Sequence, residues 1–114
     1  MTPTRTLLVG GGRMGTGHLK GIESVSALAS VTAVVEPNPA HHDRLRAEHG
    51  IERLYDELEP ALQAEAADAV FLCTPNHLHA EYALVCLRAG KHVFVEKPMA
   101  LTVADADEMV RTAR

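Results

Sequence analysis

Thr6-Leu7-Leu8-Val9-Gly10-Gly11-Gly12-Arg13-Met14-Gly15 is a short apolar run that breaks into glycine. The run reads as a buried strand. The glycines that follow match the spacing G-x-G-x-x-G, with Gly10, Gly12 and Gly15 in the three glycine places. A helix is expected after them, through about Leu28. Strand, glycine turn and helix form the context in which this spacing holds the diphosphate of a dinucleotide. Gly10 permits the tight turn, Gly12 lets the backbone approach a pyrophosphate, and Gly15 lets the helix pack close to the strand. The helix start offers unpaired N–H groups and the positive end of its dipole. Glycine-rich turns occur in many folds, so this spacing alone is a weak signal.

The next element strengthens it. Ser30-Val31-Thr32-Ala33-Val34-Val35 is a second apolar, β-branched run, and it ends in Glu36. Glu36 lies 21 positions after Gly15, near the roughly 20-residue offset of the acid that accepts the adenosine ribose hydroxyls. A carboxylate there repels a 2′-phosphate, so NAD is expected and NADP disfavoured. The competing reading makes Glu36 an ordinary solvated charge at a strand end. Arg44 is the nearby cation that would blunt the preference if its helix reached the ribose.

Bulk properties narrow the class. The chain has 114 residues, enough for one domain with one core. Its formal charge of −4 and scattered Lys and Arg argue against a general nucleic-acid surface. No apolar stretch approaches the roughly 18 residues of a membrane span. The N-terminus lacks a signal-peptide pattern, so the cytoplasm is the expected compartment. Cys73 and Cys86 read as buried thiols, not as a disulfide framework.

Strand and helix patterns alternate along the chain. A helix is expected from about Ala40 to His49, stopped by Gly50. A short third strand is expected within Ile51 to Tyr55. Asp56 is the expected N-cap of a helix to about Ala64. Asp68 to Cys73 reads as a fourth strand, apolar as a parallel strand covered on both faces is. Asn76 is the expected cap of a helix ending near Gly90. His92-Val93-Phe94-Val95 reads as a fifth strand. Thr102 with Asp105 resembles a capping box ahead of a helix striped by Val103, Ala106, Val110 and Ala113. Strands joined by helical crossovers imply a parallel, doubly wound α/β sheet of the Rossmann type. Ligands then bind beyond the carboxyl ends of the strands. Gly10, Glu36, Thr74 and Glu96 all fall there.

Two further motifs carry a resemblance. Cys73-Thr74-Pro75-Asn76-His77-Leu78-His79 follows the fourth strand. Gly90-Lys91-His92-Val93-Phe94-Val95-Glu96-Lys97-Pro98 spans the fifth and its exit. Together with the glycine turn and Glu36, they resemble the Gfo/Idh/MocA family of NAD(P)-dependent oxidoreductases, the glucose–fructose oxidoreductase and inositol dehydrogenase group. The resemblance runs from Thr6 to Arg114. It implies that Gly10, Gly12, Arg13, Met14 and Gly15 line the pyrophosphate and that Glu36 holds the adenosine ribose. It implies that Thr74, Pro75, Asn76 and His79 lie along the cofactor toward the nicotinamide ribose. It places Glu96 and Lys97 of the Glu-Lys-Pro motif at the nicotinamide end.

Chemistry supports a catalytic role for Lys97. Oxidising a secondary alcohol needs a group for the hydroxyl proton, and an ammonium also stabilises an alkoxide-like oxygen. A lysine near the positive nicotinamide and partly desolvated becomes a usable proton acceptor. Glu96 reads as a partner that positions Lys97 or the ribose. His79 shares a helix face with Tyr82, Ala83, Cys86 and Leu87, so a buried core histidine is an equal alternative. His77 and His79 have an H-x-H look without a third ligand, and no metal site is expected. His41, His42 and His49 are expected on an exposed helix, and His18 packed on the first one.

The family continues into a sixth strand and a large α/β domain. The resemblance implies that this domain supplies the sugar or polyol pocket, a second catalytic group and the interface of a homo-oligomer. The sequence ends at Arg114, so a cofactor-binding domain truncated at its C-terminal end is expected. Two other functions are compatible with the motifs: a dinucleotide-binding sensor without catalysis, and a glycoside hydrolase that uses NAD transiently.

Overall fold

A computed structural model describes residues 2–114. Five parallel strands form one sheet in the order β3-β2-β1-β4-β5. They are β1 (Thr4–Val9), β2 (Ala29–Val35), β3 (Leu54–Tyr55), β4 (Ala69–Leu72) and β5 (His92–Val95). The helices between and after them are α1 (Arg13–Glu23), α2 (Pro39–His49), α3 (Leu58–Ala64), α4 (His79–Arg88) and α5 (Val103–Ala113). The chain winds outward from β1 through β2 to β3, then crosses back to β4 beside β1. The strand order therefore reverses between β1 and β4, where a doubly wound sheet opens its binding crevice.

Side chains alternate across each strand, and this divides the core in two. Leu7, Val9, Val35, Val70 and Leu72 face α3, α4 and α5, against Leu58, Ala61, Ala83, Cys86 and Met109. Leu8 and Val34 face α1 and α2, against Leu19, Leu45 and Ile51. Leu7 and Leu8 are both fully buried. Each such side chain contributes roughly 2 kcal/mol of transfer free energy. Burial on both faces explains why β1 and β4 read as apolar runs without alternation. The register between β1 and β2 slips by one residue between Thr6 and Leu7. There the Thr32 hydroxyl donates to the Thr6 carbonyl at 3.2 Å.

Several boundaries differ from the sequence expectation, each for a local reason. The first helix ends at Glu23, not near Leu28. The Ser24 hydroxyl donates to the Gly21 carbonyl at 2.6 Å, and residues 24–28 form turns. Val25 and Leu28 point into solvent, so a longer helix would have no face to bury. The third strand, Leu54–Tyr55, falls within the expected stretch, while Ile51 packs beneath α2 and donates its N–H to the Leu45 carbonyl. Gly50 stops α2 as expected, in the left-handed conformation with φ of 65°. Glu57, not Asp56, is the N-cap of α3, and its side chain makes no capping bond. The fourth strand stops at Leu72, one residue before Cys73. Asn76 does not cap α4; residues Asn76–Leu78 form a single 3₁₀ turn that leads into it. Thr102 does cap α5, accepting from the Asp105 N–H at 3.1 Å. The anticipated stripe of α5 faces outward, with Val103, Val110 and Ala113 exposed, and Met109 turns to the core instead. Among the described residues no helix is long and apolar enough to cross a membrane.

Candidate functional site: the rim at the carboxyl ends of the strands

The glycine turn leaves β1 under close steric control. Gly10 has φ of +101°, and a Cβ there would lie 2.4 Å from the Cys73 carbonyl oxygen. A Cβ on Gly15 would lie 1.8 Å from the carbonyl oxygen of Gly10, so α1 sits against the turn. Gly12 is different. The nearest atom to its virtual Cβ is His41 Cε1, at 3.9 Å. The protein therefore leaves Gly12 open on the side that a ligand's backbone approach requires. Gly12 is also the N-cap of α1 and brings no side chain to it. The first N–H groups of a helix lack intrahelical partners and suit an anion.

Gly11, unassigned in the motif, is held from the end of β2 and from α2. Its N–H donates to Glu36 Oε1 at 2.8 Å, and its carbonyl accepts from the Arg44 guanidinium. Arg44 also reaches Thr16 Oγ1 at 3.2 Å. The guanidinium thus braces the back of the glycine turn and is not turned to the ribose position. The motif spacing alone gave no sign of this, because the contact joins residues 33 positions apart.

Glu36 stands just past β2 and is only 6% exposed. Its Oε1 takes the Gly11 N–H and its Oε2 the Asn38 N–H, at 2.8 and 2.7 Å. Burial alone would raise its pKa. The N–H groups of Asn38 and Gly11, with His41 beside them, outweigh that and hold the carboxyl below its ordinary value. An ionised carboxylate has about four acceptor positions, so two remain for further donors.

These residues share a cleft of about 1020 Å³. Gly10, Gly12, Glu36, Thr74 and Pro75 line it, with Tyr82 of α4 opposite. Thr74 Oγ1 is buried there without a hydrogen-bond partner. A buried hydroxyl left unpaired is costly, so its position suits a ligand that completes it. An open Gly12, acceptor capacity on Glu36 and an unpaired Thr74 hydroxyl together fit a dinucleotide.

Arg13 and Met14 are exposed on the first turn of α1, and Asn76 is exposed on the 3₁₀ turn. His79 lies 1% exposed beneath the rim. Its Nδ1 is 2.7 Å from the Pro98 carbonyl oxygen, and its Nε2 is 2.9 Å from that of Thr74. It ties together the loops that follow β4 and β5.

Glu96 and Lys97 leave β5 next to Thr74, since β4 and β5 pair from Ala69↔His92 to Leu72↔Val95. Glu96 Oε1 is 2.8 Å from His18 Nε2. The His18 ring packs edge-on against Phe71 and Phe94. His18 thus reaches across the sheet from α1, which its place in the sequence alone did not reveal. Lys97 is exposed among the described residues. The desolvation expected for it is not supplied by these residues. The helix α2 also departs from expectation: His41, His42 and His49 are partly buried. His42 Nε2 meets the Glu36 carbonyl, and His49 Nδ1 lies 3.0 Å from Glu23 Oε1. The two cysteines are free, and burial pushes Cys73 to about 11 and Cys86 to about 12.

Comparison with known proteins bears on this rim. Residues 4–114 match the family described as "Oxidoreductase family, NAD-binding Rossmann fold". The 4-carboxy-2-hydroxymuconate-6-semialdehyde dehydrogenase of Sphingobium sp. is 34% identical over 96% of this chain and 35% of its own length. The WlbA dehydrogenase of Bordetella pertussis, solved with NADH and UDP-GlcNAcA, superposes with a TM-score of 0.93 at 33% identity, over 99% of this chain and 34% of its own. The scyllo-inositol dehydrogenase of Lactobacillus casei, solved with NAD(H) and scyllo-inositol, gives 0.90 at 30% identity, over 97% and 33%. The chain thus spans about a third of the length of these relatives. Matched over residues 4–114, this chain belongs to the Gfo/Idh/MocA oxidoreductase family and carries that family's NAD-binding Rossmann fold.

Proposed function

We propose that this chain is the dinucleotide-binding part of a dehydrogenase that moves a hydride between NAD and a hydroxyl-bearing carbon of a sugar, polyol or similar small molecule. The observation that carries this reading is the ionised Glu36 carboxylate, set beside the open Gly12 in one cleft. Gly10, Gly12 and Gly15 shape the turn for the diphosphate, with Arg13 and Met14 at its edge. Glu36 accepts the hydroxyls of the adenosine ribose. Thr74, Pro75 and Asn76 extend the rim toward the nicotinamide ribose, and His79 fixes the Thr74 and Pro98 carbonyls beneath them. Glu96 and Lys97 stand at the far end of that rim.

NAD⁺, when bound, supplies the hydride acceptor. Lys97, as the neutral amine, takes the hydroxyl proton when the substrate carbon gives up its hydride, and returns it in the reverse direction. Its exposure in this chain means that a substrate domain covering the rim would provide the dry surroundings. The named relatives are dehydrogenases, which supports this reading over a sensor without catalysis.

Titration of the chain with NADH and with NADPH, followed by fluorescence, tests the cofactor half. NADH should bind tighter by roughly tenfold or more, because a 2′-phosphate meets the buried Glu36 charge. Glu36→Ser should narrow that gap. Equal binding of both by the unsubstituted chain would remove the role given to Glu36. Binding of neither would overturn the reading as a whole.

A further inference from the structure

His41 stands in a place that the glycine motif does not explain. It lies on the first turn of α2, and its ring stands between Glu36 and Gly12, with Cε1 3.9 Å from the virtual Cβ of Gly12. Its Nδ1 is 3.3 Å from Glu36 Oε1, without the alignment of a hydrogen bond. That nitrogen is buried and unpaired, whereas the side chain as a whole remains 34% exposed and lines the cleft. The same Glu36 oxygen already serves Gly11. His41 is therefore a titratable side chain placed against the carboxylate oxygen that would meet the adenosine ribose.

The surrounding charges are otherwise committed. From its own helix, His42 meets the Glu36 carbonyl and stands 3.8 Å from Asp56 Oδ1. Arg44 is spent on the Gly11 carbonyl and Thr16. From the start of α1, Arg13 is exposed. Asp56, Glu57 and Glu59 line the cleft beyond and add only negative charge. His41 is thus the imidazole that stands at the Glu36 oxygens and lines the same cleft.

We propose that His41 is a specificity-determining residue that makes the choice between NAD and NADP depend on pH. Neutral, it leaves the Glu36 charge to repel a 2′-phosphate. Protonated, it sets a cation beside that carboxylate and offers a charge-assisted partner to the phosphate. Glu36 itself stays ionised in both states of His41, since its carboxyl is held below the ordinary value. The inference rests on the reading that Glu36 receives the adenosine ribose.

The test is the ratio of NADPH to NADH dissociation constants for the 114-residue chain, measured at pH 8 and pH 5.5. The 2′-phosphate titrates near pH 6 and lowers the ratio in acid by its own charge loss. His41→Asn retains that effect and lacks the imidazole, so it sets the baseline. The unsubstituted chain should lose roughly threefold more of its preference between the two pH values than His41→Asn does. His41→Arg, with a permanent cation, should hold the low ratio at both. Equal pH slopes in the unsubstituted chain and His41→Asn, with the NADH preference intact at pH 8, would overturn the role of His41 alone. Equal NADH and NADPH affinities at pH 8 would overturn the ribose reading and this inference with it.

Discussion

Among the glycines of the first forty residues, shape decides which are required. A Cβ at position 15 would lie 1.8 Å from the Gly10 carbonyl oxygen, and the obstacle is backbone. Gly15→Ala should therefore cost about 3 kcal/mol of stability and abolish NADH binding, because turn and helix must separate. Gly17, one turn-face away on α1, has nothing within 4 Å of its virtual Cβ. Gly17→Ala should stabilise the chain by about 0.5–1 kcal/mol, since alanine restricts the unfolded backbone and suits a helix. Urea unfolding of the two variants checks both signs. The spacing of Gly10, Gly12 and Gly15 was legible as a motif. Gly11 was not, because its N–H and carbonyl are held by Glu36 and Arg44 from distant parts of the chain.

Elements follow from pattern until two faces compete. The final helix α5 carries apolar residues on more than one face, and the stripe of Val103, Ala106, Val110 and Ala113 is the more regular. The fold buries Met109 at 3% exposure and leaves Val103 at 86%. Periodicity reports that a helix has an apolar side, not which neighbour it meets. Contact with α4 settles it, as Met109 joins the cluster of Ala83 and Cys86. Met109→Ala should cost about 2–4 kcal/mol. Val103→Lys should stay within about 0.5 kcal/mol. Denaturant midpoints in the reverse order would show that the outward stripe is the packed one. Boundaries at α1 and α4 moved for a related reason: Ser24 and the 3₁₀ turn at residues 76–78 answer to local hydrogen bonds and to solvent, not to the apolar period.

Across the whole molecule, the sheet is also tied at its other end. Asp68 precedes β4 and meets Arg5 of β1 through two guanidinium contacts and the backbone N–H, at 2.9 to 3.2 Å. These bonds hold its carboxyl at about 2, below its ordinary 3.8. A folded pKa below the unfolded one means that the native state binds fewer protons in that window. The stabilising contribution is therefore complete above the unfolded value and fades as pH falls toward 2. Asp68→Asn should lower the urea midpoint near neutrality, and the difference from the unsubstituted chain should shrink between pH 4 and pH 2.5. A constant difference across that range would detach the pair from the pH response.

The sequence by itself determined the class of fold, the glycine turn, the acid at the end of β2 and the family. Each of these is a local pattern: an apolar run, a glycine spacing, a fixed offset along the chain. Tertiary structure decided which side chains meet. It set His41 against Glu36, Arg44 behind Gly11, His79 between the Thr74 and Pro98 carbonyls, and His18 on Glu96. His18 and Glu96 lie 78 positions apart along the chain. The parallel sheet brings all its carboxyl ends to one rim, so distance along the chain carries no information about distance across it.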